Sequence, residues 1–468
     1  MSSSDVQQAD ADLWLAYGVQ LKNAVSQSGS IGPNNRFYIA PLSAAGIAAG
    51  KKINVAIQNN GVFTAGDTLL DLDQPVFLPS RQSYFQRMVS YANSVDLHAD
   101  NNTGAQVRYN DAQAKATSAQ TFFTNTKIAA SGAYKAEVAA GLTTLPFFVW
   151  VVQNYPQLAA AQNANSAASA VLAAASAAMD GPMASIVGQY QSNLTLANSL
   201  GLVQGFNMEC STASADQINA GQAGTANAPI YNPTYQIDAQ YAQLVDSWIS
   251  TFPQNKKSPK TFTFKASDAS KSSWSDLGYS NSSVQVTGSY CIFFSATFTE
   301  NNTVVIKNLS AEELGSDLEV TITATDLGSF QITPGAKWNP SQLAGMPIVA
   351  NADPNLSKPM AFVNQAVLAY GVGMQVNLSS SASSTINSYL QKAQSTGGSA
   401  SIFGFNIGLG GSASSSQTST TTFDQVKKAS SGTSLVIPPA DNAYPTLLAA
   451  FGQAIPLPGT ESVTSISR

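Results

Sequence analysis

Past residue 260 the apolar residues of this chain recur at every second position, in short runs broken by turn residues: TFTF, SVQVTGSYCIFFSATFTE, NTVVIKNLS, LEVTITAT and GSFQITPGAKW. A period of two is that of a half-buried strand, and short strands at such regular spacing belong to antiparallel sheets. The pattern predicts an antiparallel β-sandwich region over residues 256–345. Residues 105–200 carry the opposite signature. AQVRYNDAQAKATSAQTFF and QLAAAQNANSAASAVLAAASAAM are rich in Ala and Gln and nearly free of Gly and Pro, as helices require. Helices are predicted there, with breaks near Pro146, Pro156 and Gly181-Pro182.

An opening helix is expected over residues 11–25, where Leu13, Trp14, Tyr17, Leu21 and Val25 keep helical spacing and Asp10 or Asp12 is placed to cap the start. Ile237, Tyr241, Leu244, Val245 and Trp248 repeat that period and close the helical half near Ser250. Between them FYIAPL, KINVAIQNN (Ile53, Val55 and Ile57 alternating) and GDTLLDLDQPVFLP read as short strands or irregular wrapping segments. AVLAYGVGMQVNLSSS and SASIFGFNIGLGGSAS are extended in pattern, and YPTLLAAFGQAI after SLVIPP is helix-like. The expected fold class is α+β. An Ala-rich, mainly helical half over residues 1–255 precedes a β-sandwich-like half, in which a Ser/Gly-rich β region at 346–468 ends in a helix and packs on the sandwich. Residues 379–434 have the Ser, Thr, Gly and Ala bias of segments that often stay disordered.

Charged residues make up 10% of the chain, against about 25% in ordinary soluble domains. The surface is therefore covered mainly by Ser, Thr, Asn and Gln, and repels its own copies weakly. Net charge is -5, and the basic residues are scattered apart from Lys256, Lys257 and Lys260, so no stripe exists to neutralise phosphates and nucleic acid is not an expected partner. The start of the chain lacks a basic segment followed by an apolar core, and the longest apolar block, LTTLPFFVWVV, is too short to span a bilayer. A cytoplasmic location is expected, with LTTLPFFVWVV in a core. The N-x-[ST] sites at Asn101, Asn193, Asn281, Asn301, Asn308, Asn355 and Asn377 then follow from the abundance of Asn, Ser and Thr rather than from glycosylation.

Chemistry-bearing residues are sparse. His98 is the one histidine, flanked by Asp96 and Asp100 in a polar turn, and Cys210 and Cys291 lie in no Cys/His cluster. Asp71 and Asp73 share a strand face by their spacing, and Glu312 and Glu313 are placed to meet the positive end of a short helix capped by Ser310. GFNIGLGGS, with Gly404, Gly408, Gly410 and Gly411, runs into Ser/Thr where a phosphate-binding helix must begin. AAGIAAGKK has Ala45 and Lys52 where a phosphate loop needs Gly and Ser or Thr. No catalytic residue, cofactor or metal is expected.

One alternation stands out. Phe403, Phe405, Ile407 and Leu409 alternate with Gly and Asn between Ser-rich stretches, and Val372, Met374, Val376 and Leu378 alternate likewise. Paired, they form an amphipathic hairpin of the kind that pore-forming proteins insert as a closed barrel, and equally one that fits a half-buried sheet. The run LEVTITATDLGSFQITPGAKW, the stretch TGGSASIFGFNIGLGG and SSWSDLGY around Trp274 resemble uncharacterised proteins of filamentous fungi, a resemblance that implies no activity and no site residue.

The expectation for function is a non-enzymatic structural or storage-type protein whose partner is itself. The alternative is a membrane-active, pore-forming or defence protein using the strands within 370–411.

Overall fold

The computed structural model describes the chain apart from residues 1–2, 26–30, 33, 42–45, 52, 54, 79, 81, 98–102, 144–146, 180–181, 198–206, 211–229, 256–258, 282–283, 285–291, 316–317, 337, 340–342, 344, 409–420, 440–444 and 460–468. His98, Asp100, Asn101, Lys256, Lys257, Cys291, Leu409, Gly410, Gly411, Ala45 and Lys52 lie outside the described residues, as does most of the SVQVTGSYC run.

The first helix, α1 (Ser3–Val25), buries Leu13, Trp14, Tyr17 and Leu21 on one face as their spacing predicts. It begins earlier than expected, so Asp10 sits inside the helix rather than at its cap. There follow β1 (Asn35–Ile39), α2 (Val55–Gly66), β2 (Leu69–Asp71) and α3 (Tyr84–Ser94). KINVAIQNN thus enters a helix, not a strand. Three alternating positions do not settle a period; the next turns do, with Val62 buried and Gly66 so close to Tyr235 and Ile332 that a Cβ would come within 2.8 Å of both.

The Ala/Gln-rich stretch is mostly helical over its described residues, as α4 (Thr103–Ala139), α5 (Phe147–Asn154), α6 (Pro156–Ala177) and α7 (Pro182–Ala197). Pro156 and Pro182 open helices, where a missing N–H costs nothing. α4 runs about 55 Å at 1.5 Å per residue. Its far half packs with α5 and α6 around Phe123, Trp150, Val151 and Leu158, a satellite of the main core; of the LTTLPFFVWVV block, Trp150 and Val151 are buried there while Leu142 is 76% exposed. Several buried amides here bond across helices, although the Asn165 Oδ1 is left without a partner. Asn165 donates to Gln120 (2.8 Å), Gln120 to Gln86 (3.1 Å), and Gln191 to the carbonyl of Ala92 (2.9 Å). A charge-poor chain ties its helices together this way without ion pairs. Gly132 lies mid-helix in α4, where an added Cβ meets nothing within 4 Å. Gly132→Ala is therefore expected to raise the unfolding free energy by about 0.5–1 kcal/mol in urea titrations.

Next come β3 (Asn207–Cys210), β4 (Ile230–Pro233), β5 (Tyr235–Ile237) and α8 (Tyr241–Asn255), in which Tyr241, Val245 and Trp248 are buried while Leu244 faces out. The second half holds β6 (Lys260–Phe264), β7 (Phe294–Glu300), β8 (Thr303–Leu309), α9 (Ala311–Leu314), β9 (Glu319–Ala324), β10 (Asp326–Pro334), β11 (Met360–Tyr370) and β12 (Gly373–Asn377). It ends with α10 (Ser380–Ser395), β13 (Ser399–Ile402), β14 (Phe405–Gly408), β15 (Thr421–Thr422), α11 (Phe423–Ala429), β16 (Ser434–Ile437) and β17 (Thr446–Ala454). The fold is α+β with a sheet-rich C-terminal region.

Among the described residues the strands form a six-stranded sheet (β1-β17-β11-β10-β5, with β2 also on β11), a four-stranded sheet (β16-β12-β9-β6), a five-stranded sheet (β15-β14-β13-β7-β8) and the β3–β4 pair. Strands of the 256–345 region are divided among the first three, so each sheet is completed from outside that region. β1 and β2 join a sheet whose other members come from the second half of the chain. The helix expected at YPTLLAAFGQAI is instead β17, paired on both sides, to β1 and β11. With both faces covered its apolar run is continuous from Leu447 to Ala450, a pattern that period alone cannot tell from a buried helix. Part of the Ser-rich 379–434 stretch is ordered as α10, capped by the Ser379 hydroxyl accepting from the N–H of Ala382 (3.2 Å).

Candidate functional site

Strands β7 and β8 close a two-residue hairpin in which Glu300 faces Thr303 across Asn301 and Asn302, both left-handed at φ 50° and 60°. Two successive left-handed residues make a type I′ turn, matched to the twist of the strands. In such a hairpin the closing pair is hydrogen bonded and bonding alternates from there. Thr303, Val305, Lys307 and Leu309 therefore bond to β7, and the N–H and C=O groups of Val304, Ile306 and Asn308 point away from the sheet.

β8 is the last strand of its sheet, and among the described residues no strand pairs with its outer side. Two other edges are contacted: Gln20 of α1 donates to the carbonyl of Thr263 on β6 (2.8 Å), and the segment through Pro75 and Phe77 bonds both the N–H and the C=O of Ile39 on the outer side of β1 (2.8 Å each). On β8, Val305 and Leu309 turn toward the core, whereas Val304 and Ile306 are 67% and 62% exposed.

The register carries that exposed face across the sheet as Thr299, Thr297 and Ser295 on β7, then Ser399 and Ser401 on β13. The face carries no charge. The opposite face is covered by α10, whose Tyr389 stacks on Phe294 and Phe298 and whose Lys392 pairs with Glu300 (3.2 Å). Hydroxyls also line the outer side of the four-stranded sheet, where Thr263 and Thr321 meet at 2.9 Å.

β8 leads directly into the cap predicted at Ser310. Its hydroxyl accepts from the N–H of Glu313 (3.3 Å), while the Glu313 carboxylate accepts from the N–H of Ser310 (2.8 Å). A second carboxylate reaches this turn from α1, where Asp10 accepts from the N–H of Ala311 (2.8 Å). Burial, with the Glu313 charge adding to it, raises the Asp10 carboxyl to about 7. Asp10 caps a helix distant in sequence, which no local pattern announces.

The hairpin expected from the two alternating runs is not formed. Met374 and Val376 lie on β12, between β9 and β16, with Val372 and Leu378 at its ends; Phe405 and Ile407 lie on β14 in another sheet. Phe403 lies in the β13–β14 turn, left-handed at φ 45°. All seven described members are buried in the one main core, where each run has its own sheet partners. Leu409, as noted, lies outside the described residues. Asp71 forms an ion pair with Lys358 (3.0 Å) and Asp73 follows in the turn after β2, so the two carboxylates do not continue along one strand. Cys210 falls on β3 and Asp96 just beyond α3. Among the described residues no group of three or more His, Cys, Asp or Glu is placed to hold a metal ion, and no helix is long and apolar enough to cross a membrane.

NTVVIKNLS was legible as a strand but not as an edge, because strand position depends on partners that local sequence does not name. No family model, no curated protein and no solved structure matches the chain.

Proposed function

We propose that the chain is a non-enzymatic structural or storage-type protein that packs with copies of itself, and that copies join through β8. The uncovered edge of β8 carries this reading. An unprotected strand edge exposing β-branched residues is a template for another strand, and proteins that stay apart blunt such edges with charge, proline or cover. Here Val304 and Ile306 occupy the outward face of the edge, and the one charge on the strand, Lys307, points to the opposite face.

The edge is self-complementary. Antiparallel pairing about a two-fold axis at Ile306 sets Ile306 against its copy and Val304 against Asn308, the three residues whose backbone groups point outward. Val304 and Ile306 of both copies then form one apolar strip on the uncharged face. Low net charge adds little repulsion between copies.

The native mass, followed by light scattering, is expected to rise with protein concentration. Ile306→Lys is expected to hold the chain monomeric with its melting temperature unchanged, and Ile306→Pro to do the same, since the N–H it removes bonds nothing within the subunit. A wild-type monomer at every concentration, or assembly that survives both variants, rules the proposal out.

A further inference from the structure

A cleft of about 870 Å³ separates α3 and the 3-10 turn Pro354–Ser357, on one side, from the outer half of α4 on the other. Thr124, Lys127, Ser131 and Lys135 line it along one stripe of α4 at three- and four-residue spacing. Arg87 lines the facing wall and is 7% exposed. Its terminal nitrogens donate to the carbonyls of Asn355 (3.0 Å), Leu356 (2.8 Å) and Lys358 (2.8 Å), while its Nε is buried without a partner.

Lys127 is half-buried and forms neither an ion pair nor a hydrogen bond among the described residues. Burial lowers its pKa, and the attraction of Asp67 opposes that only in part. Asp67 is itself buried and already accepts from the N–H of Phe85 (2.8 Å) and the hydroxyl of Tyr235 (2.7 Å). Asp353 is the one acid lining the cleft, against Arg87, Lys127 and Lys135, in a chain of net charge -5. Asp67 attracts Lys127 without bonding it, so the ammonium keeps its donors for an anion entering the cleft.

The remaining walls are hydroxyls and amides with the exposed side chain of Ile128 beside them, Phe123 and Leu356 lying almost fully buried behind. Such walls match a small molecule rich in hydroxyls. Gly132 also lines the cleft, and the bare helix at that point keeps it wide.

We propose that this cleft binds a small anionic sugar, a sugar phosphate or a sugar acid, with its anionic group at Lys127. The proposal holds whether or not copies join through β8. Titration calorimetry of the full chain against glucose 6-phosphate, ribose 5-phosphate, glucuronate and galacturonate is expected to show binding to at least one of them, which then identifies the phosphate or the carboxylate branch. Lys127→Gln is expected to weaken that binding about tenfold or more, Lys135→Gln to weaken it less, and Gly132→Leu to abolish it by filling the cleft with no charge altered. Circular dichroism and melting temperature confirm that each variant is folded. Binding by none of the four, equal binding of glucose or of inorganic phosphate, or binding indifferent to Lys127→Gln overturns the proposal.

Discussion

Phe403→Ala is expected to lower the unfolding free energy by about 3–5 kcal/mol in urea titrations followed by tryptophan fluorescence. The Phe403 side chain is 1% exposed and its ring meets Trp14 (4.4 Å between centroids), Tyr17 (5.6 Å), Phe264 (5.5 Å) and Phe293 (6.0 Å). Those partners come from α1, from β6 and from the segment entering β7, so one turn residue anchors elements drawn from three parts of the chain. Truncation leaves a cavity that stacked rings on separate elements cannot close. The backbone adds a sharper test. Phe403 is left-handed, a conformation that costs a residue with a Cβ about 1–2 kcal/mol and glycine almost nothing. Phe403→Gly loses the same ring and sheds that strain, so it is expected to be the milder variant by up to about 1 kcal/mol. In an extended strand the order is the reverse. A glycine variant weaker than the alanine variant, or a loss below about 2 kcal/mol for alanine, contradicts the account.

Phe403 also shows where sequence reading stops. Alternation placed it in line with Phe405 and Ile407, yet the backbone turns at Phe403 and Gly404, and the three do not share one strand. Local rules worked where the physics is local. Ser310 caps its helix and Glu312 and Glu313 occupy the first turn, prolines open α6 and α7, and the Gly-poor stretch is helical. They failed where pairing decides. Phe37 faces Phe451, joining the two ends of the chain in one sheet, and LLAAFGQA is a strand because it has neighbours on both sides. The cleft was equally hidden. Arg87, Lys127 and Asp353 are ordinary charges in their own segments and acquire meaning only when α3, α4 and the turn before β11 converge.

The fold is expected to be more stable near pH 5 than near pH 8, opposite to chains whose buried carboxylates are ion-paired. Asp10 rises from 3.8 to about 7 and Asp67 from 3.8 to about 6, in both cases chiefly because burial disfavours the charged form. Glu313 pushes Asp10 further up; Lys127 and the hydrogen bonds from Ser83, Phe85 and Tyr235 hold Asp67 down. Between about pH 4 and pH 7 the folded chain therefore keeps protons that the unfolded chain has released. Folding takes up protons in that window, so raising the pH favours unfolding, and above it the effect is constant. Between pH 5 and pH 8 the difference amounts to on the order of 3 kcal/mol for Asp10 and about 1 kcal/mol for Asp67. Urea unfolding at half-unit steps from pH 4.5 to 8 measures it. Asp10→Asn keeps an oxygen to accept from Ala311 and removes the titration, so it is expected to be relatively more stable at pH 8 than at pH 5 and to flatten the wild-type slope between pH 5 and 7. A wild-type stability that rises across this range, or a slope untouched by Asp10→Asn, means that the Asp10 carboxylate is solvated and is not buried against the turn at Ala311.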